Sequence, residues 1–125
     1  MNQELAHRKI LVIDDDLSLL QLTRRILERA GYQVFCAVNG ADGMLLHEQQ
    51  NPDLILLDLE MPVMDGITTL RNIRAHDNHT LVIILTAHGT LDTIRDAADL
   101  NVSEYLIKPF QSVELVSIID KALAS

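Results

Sequence analysis

Five short runs of almost continuous apolar residues divide the chain, and each is followed by a segment whose apolar residues recur at helical spacing. The runs cover residues 9–13, 33–38, 54–57, 81–85 and 104–107. Apolar and polar residues do not alternate within them. Both faces of each predicted strand should therefore be covered, as in a parallel sheet that lies between two layers of helices.

The segments after the strands predict five helices. They cover residues 17–30, 41–50, 67–75, 91–100 and 112–124. In the first helix we expect Leu19, Leu22 and Ile26 to face the core, and Gly31 to end the helix. The second contains Gly43, which should cost up to about 1 kcal/mol relative to alanine, so its stability must come from packing.

Strand and helix alternate along the whole chain, without an internal repeat or a linker. This pattern predicts a single doubly wound α/β domain over residues 1–125, with a core from about 9 to 123 and right-handed crossovers. The strand order stays open at this point. Ser112 is the expected N-cap of the fifth helix.

The net charge is −8, and the ten basic residues are scattered rather than gathered in a stripe. We therefore expect no direct binding to nucleic acid and no attraction to anionic lipid. No apolar run approaches the roughly 20 residues of a membrane span, and the polar start "MNQELAHRK" lacks the apolar core of a signal peptide. A cytoplasmic protein is the expectation.

Polar residues with acidic, hydroxyl or amino groups follow the first, third, fourth and fifth predicted strands. Residues 14–16 read "DDD" after the first strand, Asp58 follows the third, Thr86 with the small Ala87 follows the fourth, and Lys108 follows the fifth. The carboxyl ends of parallel strands lie at one edge of the sheet, where such folds bind ligands. We therefore expect these side chains to converge.

Carboxylates crowded at that edge would raise each other's pKa unless a cation neutralised them. Mg²⁺ suits such a group, because it takes oxygen ligands and commonly shares them with a phosphoryl group. A carboxylate can itself attack phosphorus, while Lys108 and Thr86 offset charge on the phosphoryl oxygens. The structural alternative for "DDD" is helix capping, which we assign to Asp16 and in part to Asp15.

Four segments, "ILVIDDD", "PDLILLDLEMPVMDG", "IILTAHG" and "YLIKPF", resemble the receiver domain of bacterial two-component response regulators. They stand in that family's order and at its spacing, and the resemblance runs from about Lys9 to Leu123. It implies a flavodoxin-like (βα)5 sandwich with a parallel sheet of order 2-1-3-4-5.

The resemblance also implies residue roles. Asp58 would be the phosphoacceptor, and Asp15 would bind Mg²⁺ directly while Asp14 acts largely through water. Glu60 would contribute its backbone carbonyl to the metal. The Lys108–Pro109 peptide should be cis, a form that X–Pro bonds adopt at low cost.

In the family a hydroxyl and an aromatic residue transmit the signal, and Thr86 and Tyr105 match them. Phosphorylation of Asp58 should draw the Thr86 hydroxyl inward and let the Tyr105 ring turn in, which changes the face formed by the fourth helix, fifth strand and fifth helix. The simpler alternative for Tyr105 is a half-buried strand aromatic. Glu60 and His88, each two residues after a site residue, should tune the lifetime of the acyl phosphate.

The implied partners are a histidine kinase or histidine phosphotransfer protein as donor, and an output domain or downstream protein as target. A phosphorylation-dependent dimer is a further expectation. The chain would catalyse only its own phosphorylation and dephosphorylation, so we do not expect an enzyme with turnover. It would act alone or as the N-terminal part of a longer protein. Leu17 and Leu20 lie off the predicted core stripe and could dock the donor.

Smaller expectations concern residues outside the site. Asp53 should lead into the third strand, Asp65 should begin the turn into the third helix, and Asn101 should adopt a left-handed turn. The remaining histidines show no ligand spacing and should be solvated. They are His7, His47, His76 and His79.

Two other functions fit the predicted architecture. A haloacid dehalogenase-like phosphatase also uses a strand-end aspartate, but it needs a second aspartate two residues later, where this chain has Glu60. A flavodoxin-like flavin binder needs a phosphate loop rich in Ser, Thr and Gly, whereas "DDD" would repel an anion. Turnover of a phosphate ester would support the first, and a coloured protein the second.

Overall fold

The computed structural model of the protein describes residues 7–61, 65–87 and 91–124. Strands and helices alternate along the chain, as the pattern predicts. The strands are β1 (Lys9–Ile13), β2 (Gln33–Ala37), β3 (Leu54–Asp58), β4 (Leu81–Thr86) and β5 (Glu104–Ile107). The helices are α1 (Leu17–Arg29), α2 (Gly40–Gln50), α3 (Gly66–Arg74), α4 (Leu91–Ala97) and α5 (Ser112–Ala124).

All strand pairs are parallel, and the sheet has the order β2-β1-β3-β4-β5. The implied flavodoxin-like order is therefore confirmed. In the pairing of β3 with β4, Asp58 lies opposite Leu85, and in that of β4 with β5, Thr86 lies opposite Ile107. The carboxyl ends of the central strands thus meet at one edge.

Two separate apolar cores cover the two faces of the sheet. Alternate residues of β1, such as Ile10 and Leu11, enter opposite cores. Leu20 and Leu115 bring α1 and α5 into the core on the Ile10 face, and Leu70 brings α3 into the other. The continuous apolar runs follow from this burial on both sides.

The buried stripe of α1 differs from the prediction. Its fully buried residues are Leu20, Thr23 and Leu27. Leu22 is 48% exposed, and Leu19 and Ile26 are only partly buried. Leucines are so frequent at the start of this helix that two helical stripes fit the sequence, and the packing on the sheet selects the one that contains Thr23. The expected exposure of Leu20 is accordingly wrong.

The caps of three helices agree only in part with the prediction. Asp16 caps α1 by accepting the Leu19 amide at 3.1 Å, and Asp65 caps α3, both as expected. At α5 the helix includes Ser112, and the Gln111 amide donates to the Glu114 carboxylate at 3.1 Å. Gln111 therefore precedes the helix in a capping-box arrangement, and Ser112 is not the N-cap.

The second helix lies unusually close to β1 at Gly43. A Cβ atom at this position would lie 2.5 Å from Cδ1 and 2.8 Å from Cγ1 of Ile13. The missing side chain lets α2 approach the sheet, and the packing gained there offsets the low helix propensity of glycine.

Arg74, near the end of α3, joins that helix to the segment after α4. Its guanidinium donates to the carbonyl oxygens of Leu100 at 2.8 Å, Asn101 at 3.0 Å and Asp77 at 3.1 Å. The fourth helix ends at Ala97 rather than at Leu100, and Asn101 has φ 56°, the left-handed conformation that the sequence predicts.

His47 is not solvated as expected. Its Nε2 lies 2.7 Å from Oδ2 of Asp77, and the side chain is 15% exposed. Burial alone would raise the pKa of Asp77. Hydrogen bonds from Thr80, His47 and the His79 amide outweigh that effect and hold this pKa well below its usual range. The pair links α2 to the turn after α3.

Candidate functional site

Asp58 is the last residue of β3, and its side chain is almost completely buried at 2% exposure. Its Oδ1 lies 3.3 Å from Nζ of Lys108 and accepts the Glu60 amide hydrogen at 3.2 Å. The neighbouring strands β1 and β4 hold it in place on both sides. Asp58 therefore occupies the centre of the carboxyl edge of the sheet.

Two further carboxylates lie beside it, both directly after β1. Asp14 is 1% exposed, and its Oδ2 accepts from Nζ of Lys108 at 3.1 Å. Its Oδ1 accepts the Asp16 amide at 3.0 Å, which orients the carboxylate. Asp15 is exposed, and Asp14, Asp15 and Asp58 can each offer an oxygen so that all three lie within 4.8 Å of one another.

The electrostatics of the cluster favour a cation. The pKa of Asp58 is raised to about 6, mainly by burial and also by the charge of Asp14. The hydrogen bond from the Glu60 amide and the charge of Lys108 lower this pKa, but by less. Burial would lower the pKa of Lys108, but Asp14 and Asp58 outweigh it and raise that pKa. Three carboxylates face one ammonium group, so the site lacks positive charge. Their hard oxygen atoms are the donors that Mg²⁺ takes.

Thr86 ends β4 beside these carboxylates and is fully buried. Its Oγ1 donates a hydrogen bond of 2.9 Å to Oε1 of Glu60. Its backbone oxygen accepts from the Lys108 amide at 2.8 Å, which ties β4 to the start of the Lys108 loop. Ala87, the next residue, is exposed and leaves the edge open.

Gly66 also belongs to this site, although the sequence pattern does not predict it. A Cβ atom at Gly66 would clash with the carbonyl oxygen of Asp58 and lie 2.6 Å from Cα of Leu59. The Gly66 amide donates to the Leu59 oxygen at 3.1 Å. Only glycine allows the start of α3 to approach Asp58 this closely. The dipeptide "DG" at 65–66 carries that signal, although it reads equally well as an ordinary turn.

The remaining predicted site residues lie as follows. The Lys108–Pro109 peptide is cis, as predicted. Tyr105 is half-buried on β5, and burial raises the pKa of its hydroxyl. Leu17 is 60% exposed, but Leu20 is only 5% exposed, so it cannot form a docking surface with Leu17. His88 lies outside the described residues.

The family model for the response regulator receiver domain matches residues 10–120. The chain belongs to this family. The match includes Asp14, Asp15, Asp58, Thr86 and Lys108. Receiver domains are signalling domains of two-component systems, and this assignment favours that function over the phosphatase and the flavin binder.

Named relatives of this receiver domain differ greatly in length. It is 35% identical over 119 residues to sporulation initiation phosphotransferase F of Bacillus subtilis, covering 95% of this chain and 96% of the relative. It is also 35% identical to the regulatory protein AtoC of Escherichia coli, covering 94% of this chain but only 26% of that protein. The family therefore includes single-domain proteins and parts of much longer ones.

Solved structures agree with the fold. A CheY-like response regulator receiver domain protein from Methanospirillum hungatei superimposes with a TM-score of 0.91 at 27% identity, covering 95% of both chains.

Within the described ranges, no helix has both the length and the apolar character that crossing a membrane would require.

Proposed function

We propose that this receiver domain accepts a phosphoryl group on Asp58 from a histidine kinase or a histidine phosphotransfer protein. The observation that carries the proposal is the buried Asp58 carboxylate, with Asp14, Asp15 and Lys108 around it at the open edge of the sheet. A carboxylate oxygen of Asp58 attacks phosphorus, a P–O bond forms, and the P–N bond of the phosphohistidine breaks. The imidazole nitrogen keeps the electron pair of that bond.

The surrounding residues fit Mg²⁺ as a cofactor, because they supply several hard oxygen donors and too little positive charge. Asp14, Asp15 and Asp58 would hold the ion, together with the backbone carbonyl of Glu60. When bound, the ion neutralises charge on the carboxylates and on the phosphoryl oxygens. Lys108, whose Nζ already lies 3.3 Å from Asp58, offsets the charge of the transferred group from the other side.

The phosphorylated state would be read out through the face formed by α4, β5 and α5. Thr86 would turn its hydroxyl to the phosphoryl group, and Tyr105 would follow into the space that Thr86 leaves. Tyr105 also lines a groove of about 750 Å³ between β5 and α5, together with Glu114 and Lys121. This face would contact an output domain, a downstream protein or a second copy of the chain.

The donor would dock beside the site, where Leu17 is 60% exposed at the start of α1. A single exposed leucine next to the acidic loop offers an apolar contact to a donor helix. Leu17→Ser should slow transfer from a protein donor and leave phosphorylation by acetyl phosphate unchanged. Equal slowing with both donors would contradict a docking role.

Intact-mass measurement with acetyl phosphate tests the phosphoacceptor proposal. With Mg²⁺ the wild-type protein should gain one labile phosphoryl group, and with a chelator it should gain none. Asp58→Asn should lose the adduct, while Asp99→Asn, a change at an exposed carboxylate in the turn after α4, should keep it. A persistent adduct in Asp58→Asn would disprove the proposal.

A further inference from the structure

A hydrogen bond joins the buried side chain of Thr86 to the exposed side chain of Glu60. Thr86 Oγ1 donates to Glu60 Oε1 at 2.9 Å. Thr86 is fully buried at the end of β4, whereas Glu60 is exposed just after β3. The contact therefore connects a switch residue inside the protein to a carboxylate that can turn into solvent.

The hydroxyl of a threonine carries one hydrogen and can donate only one strong hydrogen bond at a time. In the proposed function, that hydrogen is donated to a phosphoryl oxygen on Asp58. In the structure described here it is donated to Glu60. The two hydrogen bonds are mutually exclusive, so Thr86 must leave Glu60 before it can bind the phosphoryl group.

The charge of Glu60 acts in the same direction. The Glu60 amide donates to Asp58 Oδ1 at 3.2 Å, so the backbone of this residue is tied to the acceptor itself. A phosphoryl group on Asp58 would bring negative charge close to the Glu60 carboxylate, and like charges repel. Because the side chain is exposed, it can swing outward when Thr86 releases it.

We propose that Glu60 is a positioning residue that holds Thr86 in the unphosphorylated conformation, and that breaking this contact is part of the switch. The proposal rests on the proposed function of Asp58 as the phosphoacceptor. It assigns the Glu60 side chain a definite partner, beyond the general expectation that this position tunes the lifetime of the acyl phosphate. Without the contact, the conformation that binds a phosphoryl group should be populated more easily.

The first arm of the test needs no phosphoryl group. Three-bond NMR couplings of the Thr86 methyl group report its χ1 rotamer in the free protein. Wild type and Glu60→Gln, whose amide oxygen can still accept the hydrogen bond, should show one dominant rotamer. Glu60→Ala should show averaging over rotamers. An unchanged, single rotamer in Glu60→Ala would overturn the proposal.

The second arm measures binding of beryllofluoride, a phosphoryl mimic, in the presence of Mg²⁺. Glu60→Ala should tighten binding by about tenfold, because the competing hydrogen bond to a charged acceptor is gone. Glu60→Gln should tighten it less. In a Thr86→Ala background, the Glu60→Ala effect should shrink to under about twofold, as a double-mutant cycle requires when two residues act through each other.

The outcomes separate the two proposals. Equal tightening by Glu60→Ala with and without the Thr86 hydroxyl would show simple charge repulsion and overturn the role of the hydrogen bond. Equal effects of Glu60→Ala and Glu60→Gln would overturn it as well. Failure of the wild-type protein to bind beryllofluoride would instead contradict the proposed function, whatever the NMR arm showed.

Discussion

Asp58 and the residues that touch it determine the chemistry at the scale of single residues. The Asp58 carboxylate is buried beside the Asp14 carboxylate, and Lys108 supplies one positive charge to both. In the absence of a cation, burial and the neighbouring Asp14 charge make ionisation of Asp58 less favourable and raise its pKa to about 6. The site therefore stores unfavourable electrostatic free energy that a bound cation can relieve.

This shifted pKa has a consequence for stability. Between an unfolded pKa of 3.8 and a folded pKa of about 6, the folded protein binds more protons than the unfolded chain. The free energy of unfolding should therefore fall as pH rises through this window, on the order of 3 kcal/mol in metal-free protein. Asp58→Asn cannot ionise and should not show this loss.

Urea unfolding in the presence of a chelator measures the effect. Asp58→Asn should be more stable than wild type above about pH 6, and the difference should vanish below about pH 4. Saturating Mg²⁺ at neutral pH should remove most of the difference by stabilising wild type. Stability curves that run parallel over the whole pH range would contradict the account.

At the scale of secondary-structure elements, glycine sets how closely α2 approaches β1. Alanine in place of glycine usually stabilises a helix interior by about 1 kcal/mol. At Gly43 the added methyl group would meet the side chain of Ile13. Gly43→Ala should therefore destabilise the protein, by about 1–3 kcal/mol for overpacking.

Ile13, the residue that an added methyl group at Gly43 would meet, offers a matched control. Ile13→Val removes Cδ1, the atom nearest to the added methyl group. In that background Gly43→Ala should cost less than in the wild-type protein, because Cδ1 is gone, but it should still cost something because Cγ1 remains 2.8 Å from the added methyl group. Urea unfolding of the four proteins gives the coupling energy. Simple additivity of the two substitutions would show that Ile13 is not the obstacle.

Arg74 fixes the end of α3 against the segment that follows α4. Replacing it with Met keeps most of the side-chain volume but leaves the carbonyl oxygens of Leu100 and Asn101 without their donor. Arg74→Met should cost about 2–3 kcal/mol of the free energy of unfolding. The exposed Arg71, one turn earlier, has weaker contacts at 3.3 Å and 3.9 Å.

Arg71→Met is the control for this change and should cost less than about 1 kcal/mol. Chemical denaturation of Arg74→Met, Arg71→Met and the wild-type protein gives the three free energies of unfolding that test this prediction. Similar losses for the two substitutions would mean that the carbonyl contacts of Arg74 add little to stability.

The elements could be predicted from sequence more reliably than their contacts. Continuous apolar runs identify the strands because both faces are buried, and the ends of most helices and strands agree within one residue. The sequence alone does not determine which face of α1 is buried, because its leucines fit two helical faces. The close approach at Gly43 depends on Ile13, which is distant in sequence, so local propensity gives no sign of it. At Gly66 the dipeptide "DG" is present, but it does not distinguish a close approach to Asp58 from an ordinary turn.

At the scale of the whole molecule, the sheet order creates the site. Asp14 and Asp58 are 44 residues apart in sequence and meet because β1 and β3 are neighbours. The family resemblance supplied that order, which the apolar pattern alone left open. The hydrogen bond between Thr86 and Glu60 also follows from it, since β3 and β4 lie side by side. No local motif predicts that contact.

Chemical trapping of the acyl phosphate can show which aspartate carries the phosphoryl group. Protein phosphorylated by acetyl phosphate with Mg²⁺ is treated with borohydride, which reduces an aspartyl phosphate to homoserine, and is then digested and sequenced by tandem mass spectrometry. We expect homoserine at position 58 when Mg²⁺ is present, and no homoserine when Mg²⁺ is omitted. Homoserine at Asp14, Asp15 or any other aspartate, with Asp58 unmodified, would contradict the account.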